Sequence, residues 1–452
     1  MGRIFGTDGA RGIAGDTLTV EQALDIGRAA AMVLAGEKAG GRRPLVLIGK
    51  DPRLSSDMLE AAVAAGLCSV GADVLRVGVL PTPAVAYLVR HYSADAGVMI
   101  SASHNLAPYN GIKLFDRDGY KLGEELEEEI EGVILDGSRP YDTRVGAGVG
   151  RVMEDYDHAR DTYVDYIAGL AQGDFSGFRI LVDCANGAAS HTAGLLFARI
   201  GAVHDIIFNE PNGLNINKEC GSTHIDKLGE RVCEGGYDFG IAFDGDADRL
   251  LAVDATGEPV SGDRIMAIIG SYLKGEGRLK KDTIAVTTMT NMGFFRFAQR
   301  AGIETAVTKV GDRYVLEHML AQGLSFGGEQ SGHFICLDHQ TTGDGQMSAV
   351  LLLDALTVMG RPLDELKDMM EVYPQILLGV EATPDMKAEL AGSAEVQTVI
   401  EAARAELAAR GRVDVRPSGT EPLIRVMVEG EDEAIIKAVG DRIARAIEEH
   451  LK

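Results

Sequence analysis

Apolar residues recur along this chain with two alternating rhythms. Helical spacing over 21–37 gives way to an unbroken apolar run over 44–49, then to helical spacing over 55–68 and a second run over 73–80. A helix over 82–91 and a buried strand over 97–100 complete a first unit. Short apolar runs between amphipathic helices read as strands of a mainly parallel sheet covered on both faces.

The alternation then repeats. Helix 153–171, strand 178–183, helix 191–200, strand 204–208, helix 227–234 and strand 238–243 form a second unit. Helix 262–273, strand 283–288, helix 293–301, strand 305–309, helix 313–322 and strand 324–327 form a third. In each unit the last strand stops in a polar loop: SASHN from Ser101, DGDADR from Asp244, GGEQSGH from Gly327. Three such units suggest duplication of one module around a shared site. The glutamate run of helix 124–135 reads as a solvated outer face, and 137–150, with Pro140 and several glycines, as a linker. After helix 342–358 and Pro374 the pattern changes to a strand, helix 394–409, two strands joined by a hairpin-like turn, and helix 433–449. The expected fold class is α/β: three similar α/β units with mixed, mainly parallel sheets plus a smaller C-terminal α+β domain.

At 452 residues the chain exceeds one core. Its 46% hydrophobic and 25% charged content is that of an ordinary globular protein. No apolar run approaches the roughly 20 residues of a membrane helix, and the first residues lack a signal-peptide core, so a cytoplasmic protein is expected. Five scattered cysteines (Cys68, Cys184, Cys220, Cys233, Cys336), with no CxxC, suit reduced thiols. The 44 Lys and Arg against 68 Asp and Glu give a net charge of −24, which repels nucleic acid and anionic membranes. An anionic substrate must then meet a local cluster of cations.

Three close carboxylates carry the sharpest chemistry. Asp244, Asp246 and Asp248 can face one side of extended chain, and Gly245 and Ala247 leave room for an ion. Hard oxygen ligands favour Mg²⁺ or Ca²⁺. Arg249 and Ala255 at the sixth and twelfth positions argue against an EF-hand, and the apolar run before Asp244 argues against a merely solvated acidic turn. The strand ending at Ile100 delivers a serine hydroxyl, the His104 imidazole and nearby Lys113, the anatomy of an α/β active site, although Ser and Asn also serve ordinary turns. Arg416, Ser418, Gly419 and Thr420, with Arg425 on the next strand, read as an anion cradle or else a plain hairpin turn. Glu329, Ser331 and His333 suit sugar hydroxyls. Lys309, Asp312, Arg313, Arg11, Lys50 and Arg53 add charge at other strand ends.

With these loops assembled, the chain resembles the α-D-phosphohexomutases. FGTDGARG from Phe5, SASHN, DCANGAA from Asp183, GLNINKECGSTH from Gly213, DGDADR, TKVGDRYV from Thr308, GGEQSGH, TTGDG from Thr341 and RPSGTEP from Arg416 follow that family's order over nearly the whole length. The GLNIN, VGDRYV and GEQSGH stretches favour its glucosamine branch over its phosphomannomutase and phosphoglucomutase relatives. The resemblance implies four domains around a central cleft: a phosphoserine domain (1–150), a metal-binding domain (151–256), a sugar-binding domain (257–372) and a phosphate-binding domain (373–452). It implies a phosphoserine at Ser103 and one Mg²⁺ held by Asp244, Asp246, Asp248 and a phosphoserine oxygen. His104, Lys113, Arg249 and Arg11 would assist the transfer. Lys309, Asp312, Glu329, Ser331, His333, Arg416, Ser418, Gly419, Thr420 and Arg425 would bind substrate.

The implied reaction interconverts glucosamine 6-phosphate and glucosamine 1-phosphate through a glucosamine (or other hexose) 1,6-bisphosphate, and its product would feed UDP-N-acetylglucosamine and cell-wall precursors. The partner is then a small sugar phosphate, with no nucleic acid or membrane, and a homodimer is allowed. Phosphoglucomutase or phosphomannomutase activity, a phosphatase using Asp244 as nucleophile, and a non-catalytic sugar-phosphate binder are the alternatives; a serine hydrolase is disfavoured because Ser103 lies outside GxSxG. One departure is Leu106, where the family usually has proline directly after SHN; altered stiffness without lost activity is expected.

Overall fold

A computed structural model describes residues 2–6, 8–35, 42–418 and 422–451. In the first unit β1 (Ala10–Ile13), β2 (Leu45–Lys50), β3 (Asp73–Val79), β4 (Ala96–Ile100), β5 (Tyr109–Asp116) and β6 (Val152–Glu154) form one sheet in the order β1-β5-β4-β2-β3-β6. In the second, β7 (Arg179–Asp183), β8 (Val203–Ile207), β9 (Phe239–Phe243), β10 (Leu250–Asp254) and β11 (Pro259–Val260) run in the order β11-β10-β9-β7-β8. The third holds β12 (Thr283–Thr287), β13 (Glu304–Thr308), β14 (Phe326–Gly328) and β15 (Phe334–Cys336), ordered β13-β12-β14-β15. The last unit is an antiparallel sheet of β16 (Gln375–Glu381), β17 (Gly411–Pro417) and β18 (Leu423–Gly430), ordered β16-β18-β17 and backed by helices Ala394–Leu407 and Glu433–His450.

One construction recurs in the first three units. The strand before each polar loop (β4, β9, β14) has a parallel neighbour on one side. On its other side it pairs antiparallel with the strand that follows the loop (β5, β10, β15). The loops are therefore tips of antiparallel returns at sheet ends, and the three sheets are mixed and mainly parallel, as the fold class expected. Two of these return strands, β5 with Lys113 and the three-residue β15, are not announced by apolar periodicity, whereas β10 (LLAVD) is an apolar run whose direction periodicity does not give.

Other expectations shift in detail. Met153 and Glu154 belong to β6, which extends the first sheet beyond β3, and the expected helix starts only at Tyr156. The 137–150 stretch is strapped to the first unit, Arg144 N and Gly150 N donating to Ser69 and Cys68 carbonyls. The glutamate helix Glu124–Leu135 is not simply a solvated face. Glu131 is 2% exposed and its carboxylate accepts the backbone N–H groups of Arg3, Ile4 and Phe5 at 2.7–2.9 Å, anchoring the N-terminal loop.

One hydrophobic core runs continuously through the first three units, from Leu47 and Phe115 through Phe243 to Phe294 and Phe326. At its centre lies helix Gly345–Met359, buried nearly all round and so apolar on every face. Asp344 caps it by accepting Met347 N–H at 2.9 Å, and Gly345 N donates to Ala247 O, so the TTGDG motif sets the helix start against the aspartate loop. The last unit has a separate core of Val, Ile and Leu side chains.

Candidate active site

Ser103, in the loop three residues after β4, has a conformation that L-residues avoid, with φ at 51°. Ala185, Asn186, Asn217 and Ala247, on loops around it, also have φ between 45° and 57°. Such strain persists only where neighbours over-determine it. Here Ser101 Oγ accepts Ser103 N–H at 3.0 Å and donates to Asp51 at 2.6 Å. Arg53, 2% exposed, donates all five guanidinium N–H groups: one to Asp51 and the others to the Ser103, Asn105, Leu106 and Tyr109 carbonyls at 2.6–3.1 Å. The charge of Arg53 thus serves the loop's backbone, and Lys50 pairs with Asp57 and Glu60. Neither of these two cations offers itself to an anionic substrate.

Across the cleft from this loop stands the aspartate loop. Ser103 Oγ donates to Asp244 Oδ2 at 2.6 Å and lies 3.3 Å from His104 Nδ1. Thr82 Oγ1 and Lys113 Nζ donate to Asp246 Oδ2 at 2.6 and 2.8 Å. Asp244, Asp246 and Asp248 are all buried, each with a carboxylate oxygen within 4.8 Å of the others. Asp246 Oδ1 and Asp248 Oδ1 are buried without a hydrogen-bond partner. Three converging carboxylates, two of them with an unpartnered oxygen, fit a small divalent cation. Gly245 permits the approach: a Cβ there would lie 2.5 Å from the Ser103 carbonyl oxygen.

Charge alternates through the cluster. Lys113 Nζ, almost fully buried, also lies 3.0 Å from Asp8 and 3.7 Å from Asp248. Arg11 pairs with Asp8, and Lys121 Nζ joins Asp8 to Asp312. His333 Nε2 accepts Gly343 N–H at 3.2 Å, which leaves Nδ1 to face Asp248 at 3.5 Å. Burial, then Asp248 and Asp246, push the Asp244 carboxyl up to about 8. Burial also works against Asp248, but His333 and Lys113 outweigh it and hold that carboxyl well below the usual range. Burial opposes charge on Lys113 too, yet Asp246 and Asp8 keep it protonated. His104 is the reverse case: burial, then Arg249 and Arg11, lower it to about 4, so it is neutral at pH 7.

The third loop reaches the same cluster through His333. Burial, followed by Asp312, raises the Glu329 carboxyl, whose Oε1 accepts Gly311 N–H at 2.9 Å. Ser331 Oγ is buried and without a hydrogen-bond partner. Lys309, Arg416, Ser418 and Arg425 instead line a cavity of about 740 Å³ between the first, third and fourth units. Arg416 Nε lies 3.3 Å from Asp414. Gly419 and Thr420 lie outside the described residues. Among the participants outside the motif reading, Lys121 and Thr82 sit in no motif and nothing local marks them, whereas Asp8 lies inside FGTDGARG, a motif read for Arg11 alone.

Comparison with known proteins finds relatives over the whole chain. Phosphoglucomutase/phosphomannomutase alpha/beta/alpha domains I, II and III match residues 2–140, 161–257 and 261–373, and the C-terminal domain of that family matches 379–446. The chain is 49% identical to phosphoglucosamine mutase of Acetivibrio thermocellus over 451 residues, covering 100% of both chains. It is 50% identical over 457 residues to that of Streptomyces griseus, again covering 100% of each. Among solved structures, a phosphoglucomutase/phosphomannomutase family protein from Burkholderia thailandensis superposes with a TM-score of 0.80 at 23% identity, covering 99% of this chain and 97% of the other. Aspergillus fumigatus N-acetylphosphoglucosamine mutase, solved with GlcNAc-6P and magnesium, gives 0.65 at 19% identity over 86% and 94%.

Proposed function

The chain belongs to the phosphoglucomutase/phosphomannomutase family, and we propose that it acts as a phosphoglucosamine mutase, interconverting glucosamine 6-phosphate and glucosamine 1-phosphate through a phosphoserine at Ser103. The observation that carries this reading is the 2.6 Å hydrogen bond from Ser103 Oγ to Asp244, which joins the nucleophile of one unit to the carboxylate triad of another. Full-length identity of 49–50% to phosphoglucosamine mutases supports the substrate.

In this reading units 1–150, 151–256, 257–372 and 373–452 supply phosphoserine, metal, sugar and distal-phosphate contacts. Asp244, Asp246 and Asp248 would hold Mg²⁺ with a phosphoserine oxygen, and the ion would neutralise charge on the transferring phosphoryl group. The 1-hydroxyl oxygen of glucosamine 6-phosphate bonds to the phosphorus of phospho-Ser103 as the bond to Oγ breaks, and the hydroxyl proton ends on Oγ. His104, neutral and 3.3 Å from Oγ, is placed to carry that proton. Lys113 is held protonated by its aspartates, so it contributes charge, together with Arg11 and Arg249. The 1,6-bisphosphate then turns end for end and returns its 6-phosphoryl to Ser103.

Asp312, Glu329, Ser331 and His333 orient the sugar, and Lys309, Arg416, Ser418 and Arg425, with Gly419 and Thr420, grip the phosphate away from Ser103. Five free cysteines support a reducing, cytoplasmic setting. Ser103→Ala removes turnover if the reading holds, and near-wild-type mutase activity in that variant refutes it. Parallel assays with glucosamine, glucose and mannose phosphates separate this substrate from those of the wider family.

A further inference from the structure

Two motifs stand outside the mechanism above, DCANGAA at 183–189 and GLNINKECGSTH at 213–224. Both build the wall behind the aspartate loop. Asp183 accepts Ala185 N–H and Gly221 N–H at 2.7 and 2.8 Å, tying the two motifs together. Ala188 N donates to Gly245 O, and Ser222 N to Phe243 O, fixing the aspartate loop on either side of Asp244. Asn217 lies where they meet. It is 1% exposed, its backbone is left-handed at φ 57°, and its own N–H donates to Ala185 O at 2.9 Å.

The Asn217 side chain reaches out of the second unit altogether. Its Nδ2 donates to the Ser103 carbonyl at 2.8 Å and to the Asn105 carbonyl at 2.9 Å. It also packs over Gly245, where an added Cβ would lie 2.7 Å from Nδ2. Both its N–H donors are thus spent on the serine loop, while the residue itself is rooted in the scaffold of the aspartates. Arg53 holds the same two carbonyls, but from within the first unit, so it shapes the loop without relating it to the triad.

We infer that Asn217 is a positioning residue for phosphoryl transfer, a buried amide bridge that fixes the distance between Ser103 and the carboxylates of the second unit. The inference rests on the mutase reading. The side chain is remote from the cation-lined cavity that would take the distal phosphate, so its loss should leave substrate affinity in place. A misplacement of about 1 Å between reacting groups lowers rate by about 100-fold.

The test compares the full-length wild-type chain with Asn217→Ala and Asn217→Asp, measuring kcat, KM for glucosamine 6-phosphate and thermal midpoint. Asn217→Asp keeps the shape but sets a carboxylate oxygen against one or both carbonyls. The expected result is a fall in kcat of about 10- to 100-fold in both variants, with KM within about twofold and a folded protein at assay temperature. Unchanged kcat overturns the inference, and so does a loss accounted for wholly by unfolded protein. A wild-type chain inactive on glucosamine phosphates refutes the mutase reading instead, so the two failures are told apart.

Discussion

Leu106 stands where the family's proline would stiffen the serine loop, yet its side chain is 51% exposed and only its carbonyl is engaged, by Arg53 at 2.6 Å. The rigidity comes from donors reaching the loop's carbonyls, from Arg53 and Asn217, so a proline ring has little left to restrict. Leu106→Ala should therefore change stability by no more than about 0.5 kcal/mol and leave turnover intact, as urea titration and a coupled assay will show. Arg53 is the opposite case. Arg53→Ala strands a fully buried Asp51 and removes a donor from four carbonyls. Breaking one partner of a buried ion pair costs about 3–5 kcal/mol, and a loss below about 1 kcal/mol by urea titration would contradict the role given to Arg53. The sequence marks Arg53 as a cation at a strand end, but whether such a charge faces substrate or backbone depends on loop geometry that residue type does not encode.

The loops themselves were legible because their chemistry is local. Three carboxylates at alternate positions after an apolar run, or a serine and histidine after another, announce a strand end whatever the strand's partner. The partner was less so. β5 carries Lys113 and Asn110 on a buried strand, and β15 spans only Phe334–Cys336, so neither shows the continuous apolar run that marks β4 or β9. β10 does show one, over Leu250 to Val253, but such a run carries no sign of the direction in which it pairs. The glutamate helix misled for a related reason, since Glu131 is buried by distant N–H groups that no window along the helix contains.

Helix Gly262–Gly275 hides another such group. Burial, then Asn291 N–H opposing it and Glu429 adding to it, leaves the Asp263 carboxyl raised to about 7. Below pH ~4 both folded and unfolded chains are protonated there. Between pH ~4 and 7 the unfolded chain releases the proton first, so this group's contribution destabilises the fold increasingly as pH rises, up to a limit above 7. Asp263→Asn keeps an oxygen for Asn291 N–H at 2.8 Å. Denaturation at pH 5 and pH 8 should show the variant gaining stability over wild type by a few kcal/mol at pH 8 (each pKa unit being about 1.4) and by only about a third as much at pH 5. An equal difference at both pH values would count against it.

The molecule as a whole divides by its cores. Three units share one continuous core, whereas the fourth closes around its own and meets the third through polar contacts. Arg412 donates to Glu429 at 2.5 Å and to the Thr288 and Thr290 carbonyls, and Glu429 in turn accepts Met292 N–H at 3.0 Å. A polar seam of this kind suits the proposed role, in which the fourth unit meets either end of a reorienting bisphosphate. Arg412→Ala should loosen the seat of Arg416 and Arg425, raising KM for glucosamine 6-phosphate about tenfold with a smaller change in kcat; steady-state kinetics that move kcat alone would argue that the seam has no such part.

The central claim is that Ser103 carries the phosphoryl group between the two positions of one sugar. Its most direct test is peptide mass analysis of the purified protein before and after a single turnover with glucosamine 6-phosphate. The expected result is a phosphoryl group on the peptide containing Ser103 that passes to the sugar as the bisphosphate and is restored from its other end. Phosphate on an Asp244 peptide, or mutase turnover with Ser103 unmodified throughout, would contradict it.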